Sequence, residues 1–321
     1  MKNVLIIGAG VLDVLVRPVK PEVFEKGSVP VEDIRFSTGG DGLNEATVLA
    51  RLLADERKNN EKAVRLLTLT GKDQAGEMIL SHCGREGICT ELSVSEEGLS
   101  TGINIVMIQE NGERSFFTNP KSSLRRLSIE HMPESFPEDV KILSFASIFV
   151  SPLFTGKELA ELFRRAREQG ICICADMTKR KNNETIRDIG DALSMVDHLF
   201  ANGEEAGLLT GKTAAEDMAE ELWRCGVKNV IIKCGGAGCF VRNGQTAQWF
   251  PAVKDTICVD TTGAGDSFAA GFLSGLAEEV PLLECIRRGN ACGSLAVEKQ
   301  GACRGIRNRA QMEERMKKLQ Y

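Results

Sequence analysis

Between residues 141 and 233 short apolar runs alternate with segments of helical periodicity, and this alternation restricts the fold more than any other feature. The runs are Ile142–Ala146, Ile171–Ala175, His198–Ala201 and Val230–Lys233; the helical segments are Lys157–Glu168 and Ala214–Arg224. A strand apolar on both faces must be covered on both, and a parallel return needs a helix-length crossover. The pattern therefore predicts an α/β chain with a mostly parallel sheet between two helical layers. Val4–Ile7, ending in Gly8-Ala9-Gly10, is a further buried strand, and Arg65–Leu69 another. Asn44–Leu53, Ala75–Glu86, Phe268–Leu276 and Leu282–Val297 are expected helices, and Arg309–Leu319 an amphipathic tail.

A different texture marks residues 101–118. Gly102–Ile108, Asn111-Gly112 and Arg114–Thr118 spell a hairpin, because Asn-Gly supplies two positive-φ turn residues. With Asp13–Val19 and Ile34–Thr38 it is expected to form a small β-sheet lid. The division is then a main domain of residues 1–12, 41–95 and 119–321 and a lid of residues 13–40 and 96–118. In the hairpin Ile103, Ile105 and Met107 face one way, and Asn104, Val106 and Ile108 the other. A thin sheet apolar on both faces needs two covers. A ligand cleft is expected to be one; a second copy of the chain, packed over Val106 and Ile108 about a two-fold axis, the other.

Composition removes several classes of function. A net charge of −5 gives no broad grip on nucleic acid or anionic lipid, and the chain has one Tyr and two Trp for stacking on single strands. No apolar run reaches the roughly 18 residues of a spanning helix. The eleven Cys sit singly in apolar runs, without a CxxC pair, and the three His lie far apart. Neither a disulfide framework nor a zinc site is expected, and the compartment is read as cytoplasmic.

The strongest chemical signal is Asp260-Thr-Thr-Gly-Ala-Gly-Asp266-Ser-Phe268. Small residues leading into a helix let backbone amides converge, and the helix N-terminus adds partial positive charge. Gly263, Ala264 and Gly265 would form an anion hole with Asp266 beside it. A base next to donors for a moving phosphoryl group is what a kinase requires. The plainer alternative is an aspartate that only caps the helix.

This segment resembles the C-terminal signature of the ribokinase-like (PfkB) carbohydrate kinases. Gly39-Gly40-Asp41-Gly-Leu-Asn44 is similar to their N-terminal signature, Asn202-x-x-Glu205 to their acidic metal-phosphate motif, and Gly289–Ala302 to their adenine-side helix and loop. The resemblance implies a three-layer α/β/α fold with a lid. It implies a sugar site at Asp13, Gly39, Gly40, Asp41, Asn44 and Asn104, and an ATP site at Asn202, Lys233, Gly235, Gly238, Asn290 and Ala291. Glu205 would hold Mg²⁺ through phosphates and water. A monovalent cation such as K⁺ at Asp260 and Thr262 stays open, because the last position of its loop, Ser in ribokinases, is Gly305 here. Asp176-Met-Thr-Lys-Arg180 departs from the family's Asp-x-Asn-x-Arg, which leaves the role of Arg180 open.

Two decoys fail on physical grounds. Gly8-Ala9-Gly10 lacks the third glycine of a dinucleotide fingerprint, since position 13 is Asp. Ala206–Thr213 fits a relaxed P-loop, but Glu204 and Glu205 would repel anions, and a short helix ended by Gly211 explains it better. The expected function is ATP-dependent phosphorylation of a hydroxyl, of hydroxymethyl type, on a small sugar or sugar acid. A nucleoside kinase of the same fold and a non-catalytic sugar sensor are the alternatives.

Overall fold

The computed structural model describes residues 1–54, 63–111 and 113–319. Its first eight strands are β1 (Asn3–Ile7), β2 (Val11–Arg17), β3 (Asp33–Gly39), β4 (Val64–Leu67), β5 (Leu69–Gly71), β6 (Val94–Glu96), β7 (Ile103–Ile108) and β8 (Arg114–Thr118). Then come β9 (Val140–Ile148), β10 (Cys172–Met177), β11 (His198–Asn202), β12 (Asn229–Lys233), β13 (Cys239–Asn243) and β14 (Ala247–Phe250). The first five helices are α1 (Val23–Lys26), α2 (Asp41–Leu52), α3 (Gln74–Glu86), α4 (Gly156–Glu168) and α5 (Ile186–Leu193). The last five are α6 (Gly203–Thr210), α7 (Ala215–Arg224), α8 (Ala264–Ala277), α9 (Leu282–Val297) and α10 (Arg309–Met316).

Eight strands form one sheet in the order β14-β13-β12-β11-β10-β9-β1-β4, parallel from β12 to β4 and antiparallel at the β13–β14 end. Alternation along β1 divides the interior into two layers. Val4 and Ile6 pack with α2, α3, α8, α9 and α10, whereas Leu5 and Ile7 pack with α4, α5, α6 and α7. The expected three-layer α/β/α architecture is therefore present. Among the described residues no helix is long and apolar enough to cross a membrane.

The small sheet runs β3-β2-β7-β8. The expected turn residue Gly112 lies outside the described residues. Register corrects the assignment of faces in this sheet. Asp13 pairs with Asn104 and Leu15 with Val106, so Val106 and Ile108 point the same way as Asn104, into a cleft, and both are buried. The face open to solvent carries Ile103, Ile105, Ile34, Phe36 and Phe117 instead.

The long apolar helix α8 packs on β11, and α9 packs on α8. Phe200 is fully buried, with ring centroids 5.0 Å from Phe272 and 6.1 Å from Phe268 in edge-on geometry. Such rings are worth more than their area alone. Phe200→Ala should cost about 3–5 kcal/mol, read as a lower urea midpoint at unchanged slope.

Candidate active site

The carboxyl ends of three neighbouring parallel strands deliver Asp176 from β10, Asn202 from β11 and Lys233 from β12. In open α/β sheets that edge is where ligands bind. The N-termini of α2 and α8 point at the same place, carrying Asp41 and Asn44 in one first turn and Asp266 in the other. Gly263 caps α8 with φ 72°, and a Cβ there would stand 2.6 Å from Ala302, so the turn requires glycine. The N–H of Ala264 closes onto the carbonyl of Thr261 at 3.2 Å. The amides of Gly265 and Asp266 have no such backbone partner among the described residues, which leaves them free to receive an anion.

Two cavities meet here. One, about 280 Å³, lies between the small sheet and the main body and is lined by Asp13, Gly39, Gly40, Asn44 and Asn104. The other, about 680 Å³, runs along the strand ends past Asp176, Asn202, Glu205, Lys233, Gly235, Asp266 and Asn290. Asp41 and Val150 border both. Across the junction Asn44 Nδ2 donates to Asp266 Oδ2 at 2.8 Å. On the first side Asn104 Nδ2 donates to Asp13 Oδ1 at 2.9 Å, so two expected residues hold one another.

Burial sets the electrostatics. It pushes the Asp266 carboxyl up to about 7, against the hydrogen bond from Asn44 and the charge of Lys233; Asp41 and Asp176 add to the rise. Burial also raises Asp41, although the amides of Ala9 and Gly42 donate to it at 2.8 and 2.6 Å. Burial opposes the Lys233 charge, but Asp176, whose Oδ2 lies 2.5 Å from Nζ, and Glu205 outweigh it and hold the ammonium above its usual range. A carboxyl poised near neutrality beside free amides and a fixed ammonium can take a proton while an anion is held close.

Several expected positions have another local role. Asn202 and Glu205 form a reciprocal capping box at α6: Glu205 N donates to Asn202 Oδ1 at 2.9 Å, and Asn202 N to Glu205 Oε2 at 2.8 Å. Ala291 is fully buried in the core, and Gly293, Ser294 and Val297 line the cavity in its place. Gly238 lines the larger cavity as expected, and a Cβ there would stand 2.0 Å from the carbonyl of Phe250, so packing of the β13–β14 end also requires the glycine. Arg180 donates to the carbonyl of Glu184 at 2.9 Å, and its neighbour Lys181 reaches the first cavity. The segment at Ala206–Thr213 is α6, ended by Gly211 with φ 72°.

Sequence reasoning did not find the row of basic residues in the first cavity, Arg35, Arg114, Arg125, Lys181 and Arg304, because five separate segments supply it. Among the described residues no cluster of three or more His, Cys, Asp or Glu converges on a metal. Asp176 and Glu205, which line the larger cavity, fit a divalent ion that arrives on phosphates and takes one or two carboxylates.

The profile of the pfkB family carbohydrate kinases matches residues 1–309. The chain belongs to that family. It is 28% identical to a 2-dehydro-3-deoxygluconokinase of Haemophilus influenzae, over 87% of this chain and 92% of that one. A crystal structure of ribokinase from Thermotoga maritima superposes with a TM-score of 0.80 at 22% identity, covering 99% of this chain and all of that one. The Arabidopsis thaliana ribokinase complexed with ribose and ATP gives 0.79 at 22% identity, covering 99% of each. These likenesses make the protein a sugar kinase with the ribokinase fold, and kinases of this kind use ATP.

In this sugar kinase the buried Asp266 bears on stability. Its folded value, about 7, lies above the ordinary 3.8, so folding favours the protonated form. That contribution is complete below about pH 4 and is lost as pH rises through 7. Asp266→Asn should therefore melt above wild type at pH 8, with the gap closing toward pH 4 in thermal denaturation.

Proposed function

We propose that this sugar kinase moves the terminal phosphoryl group of ATP to a hydroxymethyl-type hydroxyl of a small sugar acid, with Asp266 as general base. The single observation that carries the reading is the junction itself, where Asp266 on one cavity touches Asn44 on the other. The acceptor O–H gives its proton to Asp266, the acceptor oxygen bonds phosphorus, and the bond from phosphorus to the departing ADP oxygen breaks. Amides at the Gly263–Gly265 turn and the Lys233 ammonium stand where the equatorial oxygens gather charge. Glu205 and Asp176 would meet Mg²⁺ carried on the nucleotide; when bound, it neutralises phosphate charge. The small sheet, segments 13–40 and 96–118, acts as the lid that keeps water from the transfer.

Charge in the acceptor cavity selects an acid. Arg125, Lys181 and Arg304 face the acceptor cavity without an ion pair among the described residues, and burial, with neighbouring Arg125 second, holds Lys181 below its usual value. Unpaired cations in a cleft stabilise an anionic ligand. The name of the Haemophilus relative points to the same class of substrate. A riboside would need aromatic surface, and of Phe36, Phe116 and Phe117 only Phe116 lines the cleft. Measuring ATP consumption across neutral sugars, sugar acids and nucleosides should give turnover with a sugar acid. Arg125→Met with Lys181→Met should raise KM for that acid at least about tenfold, a loss of about 1.4 kcal/mol. Asp266→Asn should cut kcat by roughly 10²–10⁴-fold while ATP still binds. Turnover of neutral sugars alone removes the acid, and a melting shift without turnover makes the protein a sensor.

The open face of the lid, with Ile34 at 66% and Phe36 at 61% exposure beside Ile103, Ile105 and Phe117, is proposed as the contact of a two-fold dimer. Wild type should sediment as a dimer at micromolar concentration, and Ile105→Asp with Phe117→Asp as a monomer. A monomeric wild type would sink the dimer.

A further inference from the structure

Asp260 and Thr262 are the pair that would anchor a monovalent cation, and their geometry does not fit one. Asp260 Oδ1 accepts from Thr262 N at 3.0 Å and Thr262 Oγ1 at 2.8 Å. Its Oδ2 accepts from Gly301 N at 2.8 Å and from the guanidinium of Arg114 on β8. The other terminal nitrogen of Arg114 donates to Thr262 Oγ1. Every acceptor direction of a carboxylate that is 6% exposed is thus taken, and a positive charge already lies against it. A second cation would be brought up against that guanidinium. The far end of the loop is equally closed. A Cβ at Gly305 would lie 2.1 Å from the carbonyl of Leu295, so a hydroxyl-bearing side chain has no room there.

We propose that Arg114 is a positioning residue that stands in for an activating monovalent cation and ties the seating of the lid to the shape of the anion-binding turn. The path is short and covalent where it matters. Arg114 bridges Asp260 and Thr262, and Thr262 is bonded to Gly263, the left-handed cap from which α8 and its free amides start. Arg17 of β2 reaches the same wall, donating to Gln300 Oε1 at 2.7 Å beside the Gly301 amide that holds Asp260. Two lid arginines therefore dock on the segment that backs the turn. A guanidinium suits the task because its planar fork serves a carboxylate and a hydroxyl at once, which a spherical ammonium does not. In its place a diffusible ion would leave the turn equally formed with the lid open or shut. The proposal rests on the turn being the anion hole assigned above.

Hydrogen exchange needs no substrate and separates the proposal from that assignment. The hydrogen-bonded amides of Thr262 and Ala264 should exchange at least about tenfold faster in Arg114→Ala than in wild type. They should be unchanged in Lys20→Ala, which cuts an exposed ion pair to Glu110 elsewhere in the lid. Arg114→Lys should fall between, since it keeps the charge and loses the fork. With the sugar acid that is turned over, wild-type kcat should differ less than about twofold between potassium and tetramethylammonium salts at equal ionic strength. Arg114→Ala should lose at least about tenfold in kcat and regain part of it with added guanidinium. Unchanged exchange in Arg114→Ala, or tenfold activation of wild type by potassium, overturns the proposal. Altered exchange in a protein that phosphorylates no sugar overturns the function and leaves the coupling of lid to turn standing.

Discussion

A hydrogen bond of 2.8 Å joins Asn44 to Asp266 across 222 residues of sequence, and the rest of the site is arranged around it. It can form only if the first turns of α2 and α8 come together at the strand ends. The backbone is built for that approach: a Cβ on Gly42 would stand 2.7 Å from the Cα of Gly8, so α2 lies directly on the end of β1. On the other side of the bond α8 is held by α9 and by the aromatic packing under β11. Sheet, helices and site share one set of contacts.

That closeness has an electrostatic cost. Asp176 lies near enough to raise Asp41, Asp266 and Glu45, and Asp41 to raise Asp266 and Glu45, with Lys233 as the cation beside Asp176 and Asp266. Burial is the largest cause in each carboxyl, so the ordinary remedy, exposure to water, is absent. A fold that keeps such a group does so against its own stability, and the packed layers beneath the strands offset the loss.

The sequence made the strand ends legible because a run such as Val230–Lys233, apolar on both faces, has one structural solution. It could not reveal β13 and β14, where Ala247, Gln248 and Trp249 stay exposed and no periodicity survives. In β7 every residue but Asn104 is apolar, so alternation named two faces without saying which was inward. The deciding fact is a contact, Asn104 with Asp13 on a neighbouring strand. Ala291 falls in the core for a related reason, since α9 is buried on several sides, Arg288 and Asn290 included, and burial there does not follow polarity. Arg180 and Lys181 are adjacent cations in one loop, and only the turn at Glu184 separates their directions. The glycine-rich turn at Gly263–Gly265 was legible because few side chains tolerate its backbone.

The wall shared by the two cavities is made by Asp41 and Val150, and Asp41 is pinned by two amides of its own surroundings. Residues that belong to both compartments cannot be altered for one alone. Changes that reshape the smaller cavity without disturbing the larger one must therefore come from its far side, at Leu15, Arg35 and Val106 of the small sheet. Divergence toward new substrates is channelled onto that sheet, while the compartment along the strand ends is left with little freedom to drift.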